Sequence, residues 1–162
     1  MRNTGLLAAA VMIAGCGQFP RDPEGTSRRV GGGTLRVGVA HAPPWAIAEP
    51  SRLPEGIEVE IVQELADDLG ARVEWRVGGE GELLSSLKRY ELDIVIGGLT
   101  DDSPWRKRVA FTKPHRTVAR DGKTTRYVIA APPGENAWVA LLNRFVSQPA
   151  RPARSRAAEP QR

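Results

Sequence analysis

With 162 residues, 41% of them apolar and 26% charged, the chain has the make-up of a globular protein and the length of one domain of common size. Its net charge of +4 sits in the flanks: residues 31–147 carry 15 Lys/Arg against 16 Asp/Glu, so the body is not the basic surface that a nucleic-acid binder presents. A single cysteine excludes an intrachain disulfide and a thiolate metal cluster.

The chain opens with Arg2 and an apolar run from Leu6 to Ala14, nine residues that match the h-region of an export signal and are too few to cross a bilayer as a helix. Directly after it, Ile13-Ala14-Gly15-Cys16 resembles the lipobox of bacterial lipoproteins. The resemblance implies a signal peptide over residues 1–15, removal of which leaves Cys16 as a diacylated first residue and a body anchored to the membrane outside the cytoplasm. Two acyl chains hold where one is marginal, since each buried methylene contributes about 0.8 kcal/mol. Residues 16–33 are rich in Gly, Pro and Arg without periodicity and read as a flexible tether.

From Thr34 the pattern turns regular. Leu35, Val37 and Val39 alternate in a first strand reaching Ala40, and a proline-rich loop follows. Gly56 opens a helix in which Ile61, Leu65 and Leu69 stack at i, i+4, i+8, with Val62 and Ala66 widening the stripe and Gly70 as C-terminal cap. Arg72 to Val77 predicts a second strand, Glu82 to Arg89 a second helix, and Leu92 to Ile96 a third strand whose nearly continuous apolar run suits a parallel sheet covered on both faces. A strand over Tyr127 to Ala131 and a helix capped by Asn136, with Trp138, Leu141, Leu142 and Phe145 on one face, close the lobe at Ser147. Residues 148–162 read as a disordered basic tail. The fold class is α/β with a βαβαβ core.

Catalytic chemistry is poorly provided for. No GxSxG elbow occurs, and Cys16 is expected to be acylated. His41 and His115 are far apart in expected loops and make no metal site. The run Gly78-Gly79-Glu80-Gly81 fails the GxGxxG spacing, and Glu80 and Glu82 would repel a phosphate. Helix spacing assigns the carboxylates Glu58, Glu60, Glu64, Asp67 and Asp68 mostly to a solvated face. The loop from Gly97 to Arg106 is more informative, because it leaves the carboxyl end of the third strand, where open α/β sheets bind small ligands.

LRVGVAHAPPW, GIEVEIVQELADDLG, ELLSSLKRYELDIVIGGLT and WRKRVAFTKPH together resemble, in order, the family 3 solute-binding proteins of amino-acid ABC transporters, and RYVIAAPPGENAWVALLNRF resembles their C-terminal strand and helix. The resemblance implies one lobe of a periplasmic-binding-protein fold over residues 34–147. The second lobe is absent, since only His115 to Thr125 stands where the family inserts it. It further implies a non-catalytic binding protein without cofactor or metal, a small polar solute such as an amino acid as ligand, an ABC permease as partner, and a ligand surface of Trp45, Gly98, Thr100, Asp102 and Arg106. Counted back from Phe111, the family arginine that clamps a carboxylate falls on Trp105, so Arg106 takes that role only with a one-residue shift. Asp102 stands where Thr is common and would oppose a carboxylate. With one surface instead of two, weak or altered binding is expected. The alternative is a membrane-tethered interaction or sensory module without a transport role.

Overall fold

The computed structural model describes residues 20–149. The expected signal peptide, Cys16 and the tail from residue 150 on lie outside those residues.

Helix α1 (Thr26–Val30) leads into strand β1 (Thr34–Val39), helix α2 (Ile57–Leu69), strand β2 (Arg72–Val77), helix α3 (Glu80–Lys88) and strand β3 (Ile94–Ile96). A short 3-10 helix (Pro104–Lys107) then precedes β4 (Ala110–Phe111), β5 (Arg116–Arg120), β6 (Lys123–Tyr127), β7 (Ala130–Ala131) and α4 (Asn136–Val146). Five strands form one sheet in the order β2-β1-β3-β7-β4; β1 is parallel to β2 and β3, and β7 is antiparallel to β3 and β4.

Strand alternation builds a core on each face of this sheet. Val37, Val39, Ile94, Ile96 and Ile129 pack with Ile61, Val62 and Leu65 of α2 and Trp138, Leu142 and Phe145 of α4. On the other face Val95 and Ala130 meet Leu83, Leu84 and Leu87 of α3. The second face needs Gly38: a Cβ there would lie 2.8 Å from Leu92 Cδ1 and 3.1 Å from Leu83 Cδ2, so the glycine lets α3 press onto β1. Successive crossovers through α2 and α3 cover opposite faces, as expected where the strand order runs 2-1-3. The described residues contain no helix long and apolar enough to cross a membrane.

Several expectations need correction. Residues 20–33 do not behave as a tether: α1 is docked, with Val30 and Thr26 buried. The buried Glu135 carboxylate accepts the backbone N–H of Glu24 (3.0 Å) and Thr26 (3.1 Å), and Ala137 N–H donates to the Arg21 carbonyl (3.1 Å). Arg29 reaches Asp93, whose fully buried carboxylate also takes the Arg36 guanidinium at 2.8 Å and the Arg36 N–H at 2.8 Å. Burial by itself raises the Asp93 carboxyl, but the hydrogen bonds from Arg36 and Arg29 outweigh it and hold the group below its ordinary value. Composition concealed this anchoring because Asp93, Glu135 and Ala137 lie more than 60 residues away from the groups they hold there.

Asn136 is the first helical residue of α4; Glu135 occupies the cap position, and its side chain serves the N-terminal segment instead of the helix. The third strand begins at Ile94, and the strand expected over Tyr127 to Ala131 is split between β6 and β7. Between His115 and Val128 stands the hairpin β5–β6, paired from Arg116↔Tyr127 to Arg120↔Lys123; the stretch His115 to Thr125, expected to replace a second lobe, falls within it.

Candidate functional site

The strand order reverses between β1 and β3, and the segments leaving their carboxyl ends converge there. After β1, the chain turns at Ala42–Ala46, presents Trp45 and returns to α2, whose Glu58 N–H donates to the Trp45 carbonyl at 2.9 Å. After β3, Gly97 and Gly98 adopt φ of +138° and +66°. The close approach requires glycine at both: a Cβ on Gly97 would lie 2.7 Å from the Ala40 carbonyl oxygen, and one on Gly98 would lie 3.0 Å from Trp45 Cδ1.

The turn is held from below by Glu58. Its carboxylate is fully buried; Oε2 accepts the N–H of Gly97 at 2.7 Å and of Gly98 at 3.0 Å, and Oε1 lies 3.0 Å from Nε2 of a His115 side chain that is 1% exposed. From above, the turn continues into Leu99–Asp101, which pairs with the end of the hairpin: Val128 N–H donates to Leu99 O at 2.9 Å and Asp101 N–H to Arg126 O at 3.0 Å. The Tyr127 ring packs on Trp45 at 4.0 Å between centroids with a 34° tilt, and His115 meets Trp45 edge-on at 6.1 Å.

Gly98, Thr100 and Asp102 line one open groove of about 370 Å³, together with Glu80, Leu99, Ser103 and Pro104. The Thr100 hydroxyl donates to Asp102 at 2.5 Å; that bond, with the attraction of Lys123 and Arg126, holds the Asp102 carboxyl below its usual value. Trp45 adjoins the groove through Gly98. Arg106 is placed elsewhere: it is exposed on the 3-10 helix and lines a separate groove with Asp101, Val109, Ala110, Phe111, Thr112 and Pro114. Trp105, at the family's arginine position, is half buried, with Arg108 stacked 5.5 Å over its ring. Four of the five expected residues therefore come together, while Arg106 does not join them.

Sequence reasoning missed Glu58, His115 and Tyr127. Glu58 was counted with the carboxylates that helix spacing assigns mostly to a solvated face, yet it precedes Val62 by four residues and Ile61 by three, in register with the apolar stripe. A carboxylate in that register was the available signal. His115 and Tyr127 carried none, because their placement depends on the hairpin. Among the described residues no three His, Cys, Asp or Glu converge as ligands for a metal ion.

The sequence profile of the bacterial extracellular solute-binding proteins, family 3, matches residues 35–151. The L-cystine-binding protein TcyJ of Escherichia coli is 30% identical over 113 residues, which are 68% of this chain and 42% of that protein. The membrane-bound lytic murein transglycosylase F of Vibrio campbellii is 28% identical over 105 residues, 64% of this chain and 20% of that one. This chain thus spans less than half the length of the curated relatives it matches. Among solved structures, domain 1 of TmArgBP in its arginine-bound form superposes with a TM-score of 0.65 at 26% identity, covering 76% of this chain and 95% of that domain. An ancestral cationic amino-acid solute-binding protein, 15% identical with a TM-score of 0.66, shares the fold. The chain belongs to the bacterial extracellular solute-binding proteins, family 3.

Proposed function

We propose that this chain is a non-catalytic solute-binding lobe, held at the membrane through a lipid on Cys16, that takes a small polar solute of the amino-acid class and serves an ABC permease. One observation carries the reading: Gly98, Thr100 and Asp102 share an open groove beside Trp45, at the strand-order reversal of a fold whose relatives are named for binding cystine and arginine. Domain 1 of TmArgBP, described in an arginine-bound form, supports a single lobe as a binding unit.

The groove is open, so a solute in it stays partly hydrated and each polar contact is weakened by water. The affinity belongs in the millimolar range, roughly −4 kcal/mol. Calorimetry of the purified chain with L-arginine and with L-cystine tests this. Saturable heats in the millimolar range are expected. Micromolar binding would overturn the open-groove argument, and no saturation by either solute would overturn the amino-acid reading.

A membrane-tethered interaction module is the second reading, and one feature favours it. Residues 104–127 carry eight Lys/Arg and one Asp, and seven of those cations are exposed on the 3-10 helix, the segment around β4 and the hairpin. A surface of this charge attracts an acidic partner. Salt-sensitive capture of one specific acidic protein, with no solute binding, would favour this reading over transport.

A further inference from the structure

Burying a carboxylate costs several kcal/mol unless its oxygens are matched by donors. The Glu58 carboxylate is fully buried and is matched from two distant parts of the chain, by the Gly97 and Gly98 amides at 2.7 and 3.0 Å and by the His115 ring at 3.0 Å. We infer that Glu58 and His115 are positioning residues for the solute-contacting turn, the carboxylate fixing Gly97–Gly98 and holding the His115 proton on Nε2. The inference rests on the reading of Gly98 and Thr100 as solute surface.

Three features connect this pair to the groove. The Gly97 and Gly98 amides are spent on Glu58, so the turn offers a solute its outer face only. The turn is backed by Trp45, whose ring lies against Gly98. His115 also ties in the hairpin: its backbone N–H donates to Tyr127 O at 3.0 Å, and Tyr127 in turn bridges to Thr100 and packs on Trp45. A shift at the hairpin root is therefore transmitted to Gly98 through His115 and Glu58. The carboxylate acts as acceptor toward all three donors, so Nε2 must carry the proton. Nδ1 is buried and has no hydrogen-bond partner among the described residues, and nothing there competes for that proton.

This predicts a spectroscopic signature that a space-filling role would not produce. In Glu58→Gln the side-chain oxygen remains on the glycine amides and its NH₂ faces the ring, so Nε2 must become the acceptor and the proton moves to Nδ1. The experiment records ring-nitrogen and amide NMR signals of the ¹⁵N-labelled full chain. Expected are an Nε2–H ring in the unaltered protein, an Nδ1–H ring in Glu58→Gln, displaced Gly97 and Gly98 amides, and an unmoved Gly134 amide as remote control. His115→Gln, which keeps a donor near the Nε2 position, should restore the two amides, whereas His115→Leu should displace them; this second pair decides the matter should Glu58→Gln not fold.

An unchanged tautomer in folded Glu58→Gln, or equal Gly97 and Gly98 signals in His115→Gln and His115→Leu, would overturn the inference. Titrating L-arginine into the same samples separates the two layers. His115→Leu should weaken its effect on Thr100 by about tenfold or more, the usual result of leaving a buried polar group unpaired, with His115→Gln close to the unaltered protein. Arginine that moves no signal in any sample refutes arginine as the solute, and the same result with L-cystine refutes the amino-acid reading, while the tautomer still decides the positioning role.

Discussion

Asp93→Asn removes the charge around which the N-terminal segment is organised. The carboxylate accepts from Arg29 at 2.6 Å, from Arg36 Nη2 at 2.8 Å and Nε at 3.2 Å, and from the Arg36 backbone at 2.8 Å, with no exposure of its own. Asparagine puts an NH₂ group against guanidinium donors and leaves two cations without their counter-charge. Breaking a buried ion pair from one side costs about 3–5 kcal/mol. The side chains of Arg29 and Arg36 are 40% and 30% exposed and can rehydrate, so the low end, about 3 kcal/mol, applies. For an ordered body of this size that corresponds to a Tm lower by about 10 °C. Because the folded Asp93 carboxyl is held below its ordinary value, its contribution is present above the unfolded carboxylate pKa of about 3.9 and is lost as pH falls through the lower folded value. Thermal unfolding by circular dichroism of both proteins, at pH 7 and at stepwise lower pH, should show a gap that narrows on acidification. A gap under about 1 kcal/mol at pH 7, or one that widens in acid, would refute the reasoning.

Gly97→Ala forces a Cβ to within 2.7 Å of the Ala40 carbonyl oxygen at a φ of +138°, and should cost about 2–4 kcal/mol in urea unfolding; a loss below 1 kcal/mol would mean that β1 and the turn are not in close approach. Thr100→Val should weaken whatever solute the chain binds, whereas Arg106→Ala, in the neighbouring groove, should leave calorimetric affinity within about twofold, a factor below 1 kcal/mol; the opposite ranking would return Arg106 to the solute surface. Cys16→Ser should move the protein from the membrane fraction to the soluble one, and intact-mass analysis showing an unmodified Cys16 in the mature chain would end the lipid-anchor reading.

The regular part of the fold was legible because local period and burial agree. Arg72–Val77 appears as a strand over the predicted residues, and α2 ends at Gly70 with φ +60°, as the glycine suggests. The apolar run suggests that the third strand starts at Leu92, but it starts at Ile94; the Asp93 N–H still donates to the Arg36 carbonyl of β1 at 2.8 Å, while its side chain holds Arg29 and Arg36. Composition misled for residues 20–33 in the same way. Gly, Pro and Arg there suggest a linker, yet the donors of that segment are taken up by Glu135 and Asp93, far away in sequence.

At the site the resemblance located the turn and Trp45, which are fixed by backbone conformation, but it could not place side chains whose position depends on the hairpin. The hairpin returns Tyr127 onto Trp45, and its root brings His115 onto Glu58. Those two contacts change what the ring and the turn can offer. Tyr127 covers one face of the Trp45 ring, and the neighbouring groove of Thr100, Asp102 and Glu80 has two carboxylates and no cation in its lining. An arginine clamp on a solute carboxylate would require the 3-10 helix to turn Arg106 out of its own groove, away from Asp101 and Phe111. A solute that offers an ammonium or guanidinium group meets complementary charge without that rearrangement, which is why arginine is the first probe in each titration.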